Sequence, residues 1–77
     1  MIYAVNGGDY LGEFFVYMDV QGDEYHFLSL PKMELRKVPK DKFAFAIDGK
    51  VLEFVEKLPT DTYQVCKSQY ENINNCI

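Results

Sequence analysis

The first 31 residues of the chain contain no lysine or arginine. Five acidic residues and seven of the twelve aromatic residues lie there, and five of the eight basic residues follow between Lys32 and Lys42. The net charge is −5 for residues 1–31, +3 for 32–42 and −2 for 43–77, which gives the total of −4. An aromatic, acidic segment followed by a basic connector suggests a small binding protein, without identifying its partner.

Cysteine and histidine are scarce. Cys66 and Cys76 both lie near the C-terminus, whereas a disulfide framework would place cysteines along the whole chain, so we expect free thiols with Cys66 buried. His26 is the only histidine, and its spacing from the cysteines matches no zinc pattern. A catalytic pair of His26 and Cys66 is the enzyme hypothesis, but an exposed strand histidine is favoured. The sequence predicts no catalytic residue, no metal site and no cofactor.

Long apolar runs and targeting signals are also missing. Gly7, Gly8 and Asp9 interrupt the apolar N-terminus, and no stretch approaches the ~20 apolar residues that a membrane helix needs. The glycines lack the spacing and the following lysine of a phosphate-binding loop. We therefore expect a cytoplasmic protein without membrane contact.

The length of 77 residues predicts a single domain, 1–77, with a small core. Its first half, 1–38, has strand-like alternation, and its second half, 39–71, has helical spacing, followed by a tail at 72–77 that is expected to fray. The predicted class is α+β, with a mainly antiparallel sheet of three or four strands in residues 2–38 and two or three short helices in 40–71, packed on one face.

The side-chain alternation expected of a strand is clearest in residues 13–20. Further strands are predicted at 2–6 and 24–30, with a short edge strand at 33–38. One set of side chains should face the helices, and these are Phe14, Val16, Met18 and Val20. The other set, which should face away, is Glu13, Phe15, Tyr17 and Asp19.

Residues 40–58 support two interpretations. Asp48-Gly49 is a strong hairpin turn that would pair 42–47 with 50–55. A continuous helical stripe runs through the same segment, and this favours helices over 40–47 and 50–58 ahead of a third helix over 61–71 capped by Thr60 or Asp61. The predicted core consists of Phe14, Val16, Met18, Phe27, Phe54, Val55 and Leu58.

The face that carries Phe15 and Tyr17 is the predicted binding surface. Tyr3 lies beside them on a neighbouring strand, and Glu13 and Asp19 form the rim of an apolar patch with a polar border. Its partner is another protein or a second copy of this chain, and the sequence leaves both open. The alternative is that these aromatic residues pack beneath the helices.

The basic segment is the candidate for phosphate or nucleic-acid contact. A solvated connector is favoured, because the isoelectric point of 4.7 is far below the ~9 typical of nucleic-acid-binding domains. The residues concerned are Lys32, Arg36, Lys37, Lys40 and Lys42.

Small size, acidity and the lack of motifs are typical of accessory proteins encoded by phages and mobile elements. The favoured hypothesis is a non-enzymatic protein-binding module that acts as an inhibitor or adaptor. The alternatives are a nucleic-acid-associated accessory protein that uses residues 32–42 and a small enzyme that uses His26.

Overall fold

The protein is an α+β structure, as predicted; its described residues form two helices, within the predicted two or three, and five strands instead of three or four. The computed structural model describes residues 1–30, 32–56 and 59–75. Every strand pairing is antiparallel, and the spatial order is β4-β3-β2-β1-β5. In chain order the elements are β1 (Ile2–Val5), β2 (Phe14–Gln21), β3 (Glu24–Leu30), β4 (Glu34–Pro39), α1 (Lys40–Asp48), β5 (Leu52–Glu56) and α2 (Thr60–Asn75).

The first four strands form an antiparallel meander. Gln21 and Glu24 face each other across β2 and β3, so Gly22 and Asp23 form a two-residue turn. Gly22 has a φ of 59°, the left-handed conformation that such tight hairpin turns require. β4 lies at the edge of the sheet, as predicted, and α1 begins directly after Pro39.

β5 occupies the segment for which a helix over 50–58 was predicted, and that prediction is wrong. The hairpin alternative is right that this segment contains a strand but wrong about its partner, because residues 40–48 are helical and β5 pairs with β1. Val5 is opposite Leu52, and Tyr3 is opposite Phe54. The apolar residues at 51, 52, 54 and 55 fit both a helical and a strand period, and a partner strand about 50 residues earlier decides between them.

The two helices cover opposite faces of the sheet, which corrects the prediction that all helices pack on one face. α1 crosses from β4 at one edge to β5 at the other, and α2 then returns over the second face. The α1-side core contains buried Val5, Phe15, Phe27 and Leu52, with half-buried Tyr3, Tyr17, Tyr25, Val38, Phe43, Ala46 and Ile47 packed against them. The α2-side core contains buried Ile2, Val16, Leu28 and Cys66, with Met18, Leu30, Met33 and Ile73.

A bulge interrupts the predicted alternation of β2. The register between β2 and β3 shifts between Tyr17 and Asp19, so Met18 is the extra residue. Beyond the bulge Asp19 is opposite His26 and Val20 is opposite Tyr25. The predicted common face of Val16, Met18 and Val20 therefore ends at Met18.

The predicted core is correct at its centre and wrong at its margins. Val16 and Phe27 are buried and Met18 is half-buried, but Phe14, Phe54 and Val55 are 41%, 55% and 47% exposed. Leu58 lies outside the described residues. The predicted frayed tail is helical over residues 72–75, and residues 76–77 lie outside the described range.

Leu28→Ala should lower the free energy of unfolding by about 2–5 kcal/mol, because Leu28 is fully buried between β2 and α2. Leu11→Ala is the matched control. Leu11 is 66% exposed, so the same change there should cost less than about 0.5 kcal/mol. Urea unfolding followed by circular dichroism measures both, and equal losses would contradict the placement of Leu28 in the core.

Candidate functional site: an aromatic cavity and an open sheet edge

Beneath α1 lies a cavity of about 220 Å³ whose walls are almost entirely aromatic. Phe27 forms its buried base, and the other aromatic rings that line it are half-buried, so each also reaches solvent. Neighbouring strands position these rings, because Tyr17 is opposite Phe27 in the sheet and Tyr25 lies two residues before Phe27 on the same face of β3. We call this the aromatic cavity; it is lined by Met1, Tyr3, Tyr17, Tyr25, Phe27 and Phe43.

Phe27 and Phe43 are stacked at 19°, whereas the tyrosine rings of the aromatic cavity meet their neighbours at steep angles. Tyr3 and Phe43 are perpendicular at 87° with centroids 5.5 Å apart, and Tyr25 and Phe43 make 64° at 5.0 Å. Tyr17 makes 71° with Tyr25 at 6.1 Å. These edge-to-face contacts are the favourable geometry for aromatic pairs, and they hold the walls of the cavity in place.

A second concavity, the α1–β5 groove, has a volume of about 600 Å³ and shares Tyr3 and Phe43 with the aromatic cavity. It runs between α1 and the edge strand β5. Phe54 is on the wall formed by β5, where it contacts Tyr3 at a centroid distance of 5.9 Å. The groove is lined by Tyr3, Phe43, Ile47, Lys50, Leu52, Glu53 and Phe54.

The structure separates the residues predicted to bind a partner. Phe15 is only 4% exposed and lies in the α1-side core, so the prediction that it occupies an open face is wrong. Tyr3 and Tyr17 are half-buried and come together in the aromatic cavity. Glu13 is half-buried near Arg36, and Asp19 is exposed beyond the β2 bulge. The physical reason is that α1 covers the face that the sequence left open.

Burial raises the pKa of the Tyr17 phenol above its usual value, and the Asp19 carboxylate adds to this effect. Burial disfavours the charged phenolate form of Tyr17, and the nearby Asp19 carboxylate repels it. The Tyr17 side chain therefore enters the cavity as a neutral ring with a hydroxyl group.

Arg36, Lys37 and Lys42 line one concavity of about 400 Å³, which includes neither Lys32 nor Lys40 among its lining residues. Arg36 and Lys37 are successive residues of β4 and point to opposite faces of the sheet. The Nη2 atom of Arg36 lies 2.8 Å from Oε2 of Glu34 and 3.7 Å from Oε1 of Glu13, and its guanidinium stacks on Tyr10 at 4.3 Å. The Nζ atom of Lys40 is 5.8 Å from the ring centroid of Tyr25, while Lys32 and Lys42 are exposed.

His26 is buried, at 4% exposure, and not the exposed strand residue that was favoured. Its Nδ1 atom lies 2.7 Å from the hydroxyl oxygen of Tyr70 on α2, and in the tautomer with a bare Nδ1 the hydroxyl donates to it. Cys66 is buried on the same helix as a free thiol, as predicted for this residue, and burial raises the pKa of its thiol. A protonated thiol is a poor nucleophile. Cys76 lies outside the described residues.

The sequence did not reveal the role of several residues that line the aromatic cavity or the α1–β5 groove or contact His26. Tyr25 could have been found, because it shares the face of Phe27 on β3. Phe43 belongs to a correctly predicted helix, but the position of that helix over the sheet depends on the unpredicted β5. Phe54 and Val55 were assigned to a core helix because their spacing fits one. Nothing local to Tyr70 indicates that its partner is His26, 44 residues earlier.

Comparison with protein-family models, with curated proteins and with solved structures finds no match to this chain. Over the described part of the chain, neither helix is long and apolar enough to cross a membrane. The side chains of those same residues bring together no group of three potential metal ligands.

Tyr70→Phe should lower the free energy of unfolding by about 1–3 kcal/mol, since it removes the hydroxyl group and leaves the buried Nδ1 of His26 without that partner. Tyr63→Phe on the same helix is the control, because no hydrogen bond to the Tyr63 hydroxyl occurs among the described residues, and it should change stability by less than about 0.5 kcal/mol. Thermal unfolding of both variants provides the measurement. A Tyr70→Phe protein as stable as Tyr63→Phe would show that the hydrogen bond contributes nothing.

Proposed function

We propose that this chain is a non-enzymatic protein-binding module that takes up an extended segment of a partner protein along the open edge of β5. Such a module would serve as an inhibitor or adaptor of that partner. The observation that carries the proposal is the contrast between the two edges of the sheet. Unpaired edge strands attract additional strands unless the sequence protects them, and the two edges differ in this respect: β4 carries basic residues and a proline, whereas the charged residues of β5 are all acidic.

The edge formed by β4 is protected. It contains Arg36, Lys37 and Pro39, and charged residues and proline are the usual means of blocking strand addition. The edge formed by β5 has the sequence Leu-Glu-Phe-Val-Glu and contains neither a basic residue nor a proline. Its Phe54 and Val55 are 55% and 47% exposed. The bulge in the pairing with β1 lies at Val55, so residues 52–54 are in regular register.

The backbone of β5 offers hydrogen bonds in the direction of solvent. In β1 the N–H and C=O groups of Val5 bond toward β2, to Glu13 and Gly12, and the N–H of Asn6 bonds to the C=O of Val51. Because these directions alternate along an antiparallel pair, Val51 and Glu53 bond to β1, while Leu52 and Phe54 direct their N–H and C=O groups to the open edge. An incoming strand would bond to Leu52 and Phe54.

The α1–β5 groove supplies the apolar contact that such a mode of binding uses. Strand addition takes its affinity from main-chain hydrogen bonds and its specificity from pockets that accept alternate side chains. The groove opens beside Phe54 and is large enough, at about 600 Å³, for an apolar side chain of the incoming strand.

Charge favours another protein over a second copy of this chain. β5 contains no basic residue, so two paired copies would bring like charges, one Glu53 from each copy, into the same pair of strands. Like charges across neighbouring strands destabilise a sheet, whereas opposite charges stabilise it. The expected partner segment alternates apolar residues with lysine or arginine.

Val55→Lys should weaken binding of such segments at least about tenfold, because it places on β5 the type of charge that protects β4 and repels a basic partner. The segments are selected from a random peptide library displayed against the wild-type protein, and binding is measured by fluorescence anisotropy. Val65→Lys is the matched control, because Val65 is 59% exposed on α2 and the same change there should leave binding unchanged.

Amide hydrogen exchange provides the second readout. Bound peptide should slow exchange of the Phe54 N–H, which points to the open edge, more than that of Glu53, which already bonds to β1. The proposal fails if no peptide is selected, if Val55→Lys and Val65→Lys bind equally, or if exchange at Phe54 is unchanged. Light scattering that shows a dimer abolished by Val55→Lys would instead identify β5 as a contact between two copies.

A further inference from the structure

The size of the aromatic cavity restricts what it can accommodate. Its volume of about 220 Å³ is several times the ~30 Å³ that one water molecule occupies in the liquid, yet smaller than the ~300–1,000 Å³ of pockets for drug-sized ligands. The cavity therefore fits one compact group. Of the five rings in its walls, only Phe27 is fully buried.

The chemistry of the walls favours a cation. The face of an aromatic ring carries negative potential and its edge carries positive potential, so rings attract a cation where their faces are turned toward it. The lining side chains of the aromatic cavity include no carboxylate, ammonium or guanidinium group, and their polar atoms are three phenol hydroxyls and the Met1 sulfur. Cations already lie on aromatic rings of this chain: the Lys40 Nζ atom is 5.8 Å from the ring centroid of Tyr25, itself a ring of the cavity, and the Arg36 guanidinium lies over Tyr10, outside it.

Because the cavity walls contain few polar atoms, a methylated ammonium group should bind there better than a primary ammonium group. A primary ammonium group would lose strong hydrogen bonds to water on entry and recover few of them, and this desolvation is costly. A methylated ammonium group has fewer such bonds to lose and presents apolar methyl groups to the rings. The net charge of −4 of the whole chain adds a general attraction for positively charged ligands.

We propose that the aromatic cavity binds a trimethylammonium group, enclosed by Tyr3, Tyr17, Tyr25 and Phe43 above the buried Phe27. Two sources share this chemistry: small molecules with a choline-type head group, and trimethylated lysine side chains of proteins. This site shares Tyr3 and Phe43 with the α1–β5 groove but does not use the backbone edge of β5, and the proposal does not rest on the proposed function.

Binding of choline, compared with its uncharged isostere 3,3-dimethyl-1-butanol, tests the proposal in the wild-type protein. The two probes have the same shape and differ in the charged nitrogen, so choline should bind at least about tenfold more tightly if ring faces attract the cation. Titrations followed by NMR measure both affinities. The N-methyl protons of choline should move upfield on binding, and the protein signals that shift should be those of the cavity rings.

Variants of Tyr25 distinguish the contribution of its aromatic ring to choline binding from that of its hydroxyl group. Tyr25→Leu should reduce choline affinity about tenfold and change that of the neutral isostere little, while Tyr25→Phe, which keeps the ring, should bind choline as the wild type does. Tyr10→Leu is the matched control outside the cavity and should have no effect. Should Tyr25→Leu fail to fold, the comparison of the two probes on the wild type and on Tyr25→Phe still decides the question.

Equal affinities for choline and the neutral isostere would overturn the proposal, because the cavity would then be merely apolar. Absence of ring-current shifts at millimolar choline, or shifts confined to residues outside the cavity, would overturn it as well. Nα-acetyl-trimethyllysine amide identifies the source: tighter binding of this probe than of choline indicates a protein ligand, and the reverse indicates a small molecule. Val55→Lys should leave choline binding unchanged, so failure at this site is distinguishable from failure at the β5 edge.

Discussion

The ring of Phe27 is the contact on which the α1 side of this structure depends. It stacks on Phe15 in the neighbouring strand, at 29° and 5.6 Å, and on Phe43 of α1, at 19° and 5.7 Å. Tyr3, Tyr17 and Tyr25 surround it at centroid distances of 6.0 to 6.3 Å. α1 has no fully buried residue of its own, so its attachment relies on half-buried side chains that meet this aromatic cluster. A helix held in this way leaves space at its borders, and both concavities lie there.

Local patterns in the sequence were sufficient for four strands, α1 and most of α2. Alternation placed Phe14 and Phe15 on opposite faces correctly, but it could not say which face is better covered, because both carry large apolar residues. Phe15 was assigned to the open side and lies in the core, whereas Phe14 is 41% exposed. The extra residue at Met18 leaves no local mark, since a bulge depends on the partner strand.

β5 and the candidate sites depend on contacts between distant parts of the chain. Residues 51–55 fit two periods equally well, and only the free edge of β1 makes the strand the better choice. The aromatic cavity combines residues from β1, β2, β3 and α1 and requires the crossing path of α1, which no local pattern describes. Tyr3 and Tyr17 were singled out for their chemistry, but the side of the sheet on which they would meet, and the presence of Tyr25 and Phe43 beside them, required the fold.

The pairing of β1 with β5 also determines the order in which the chain can assemble. Contacts such as Tyr3 with Phe54 join residues about 50 positions apart, so the loop that they close is among the longest in the protein. The hairpins of the meander need only neighbouring residues and can form first, while the β1–β5 pair contributes to a high contact order and slow folding. During synthesis β1 must therefore remain with one edge unpaired until residues 52–56 have left the ribosome. In that interval the free edge of the sheet is the uncharged Ile-Tyr-Ala-Val of β1 instead of the acidic β5, and the nascent chain is then most prone to pairing with another chain.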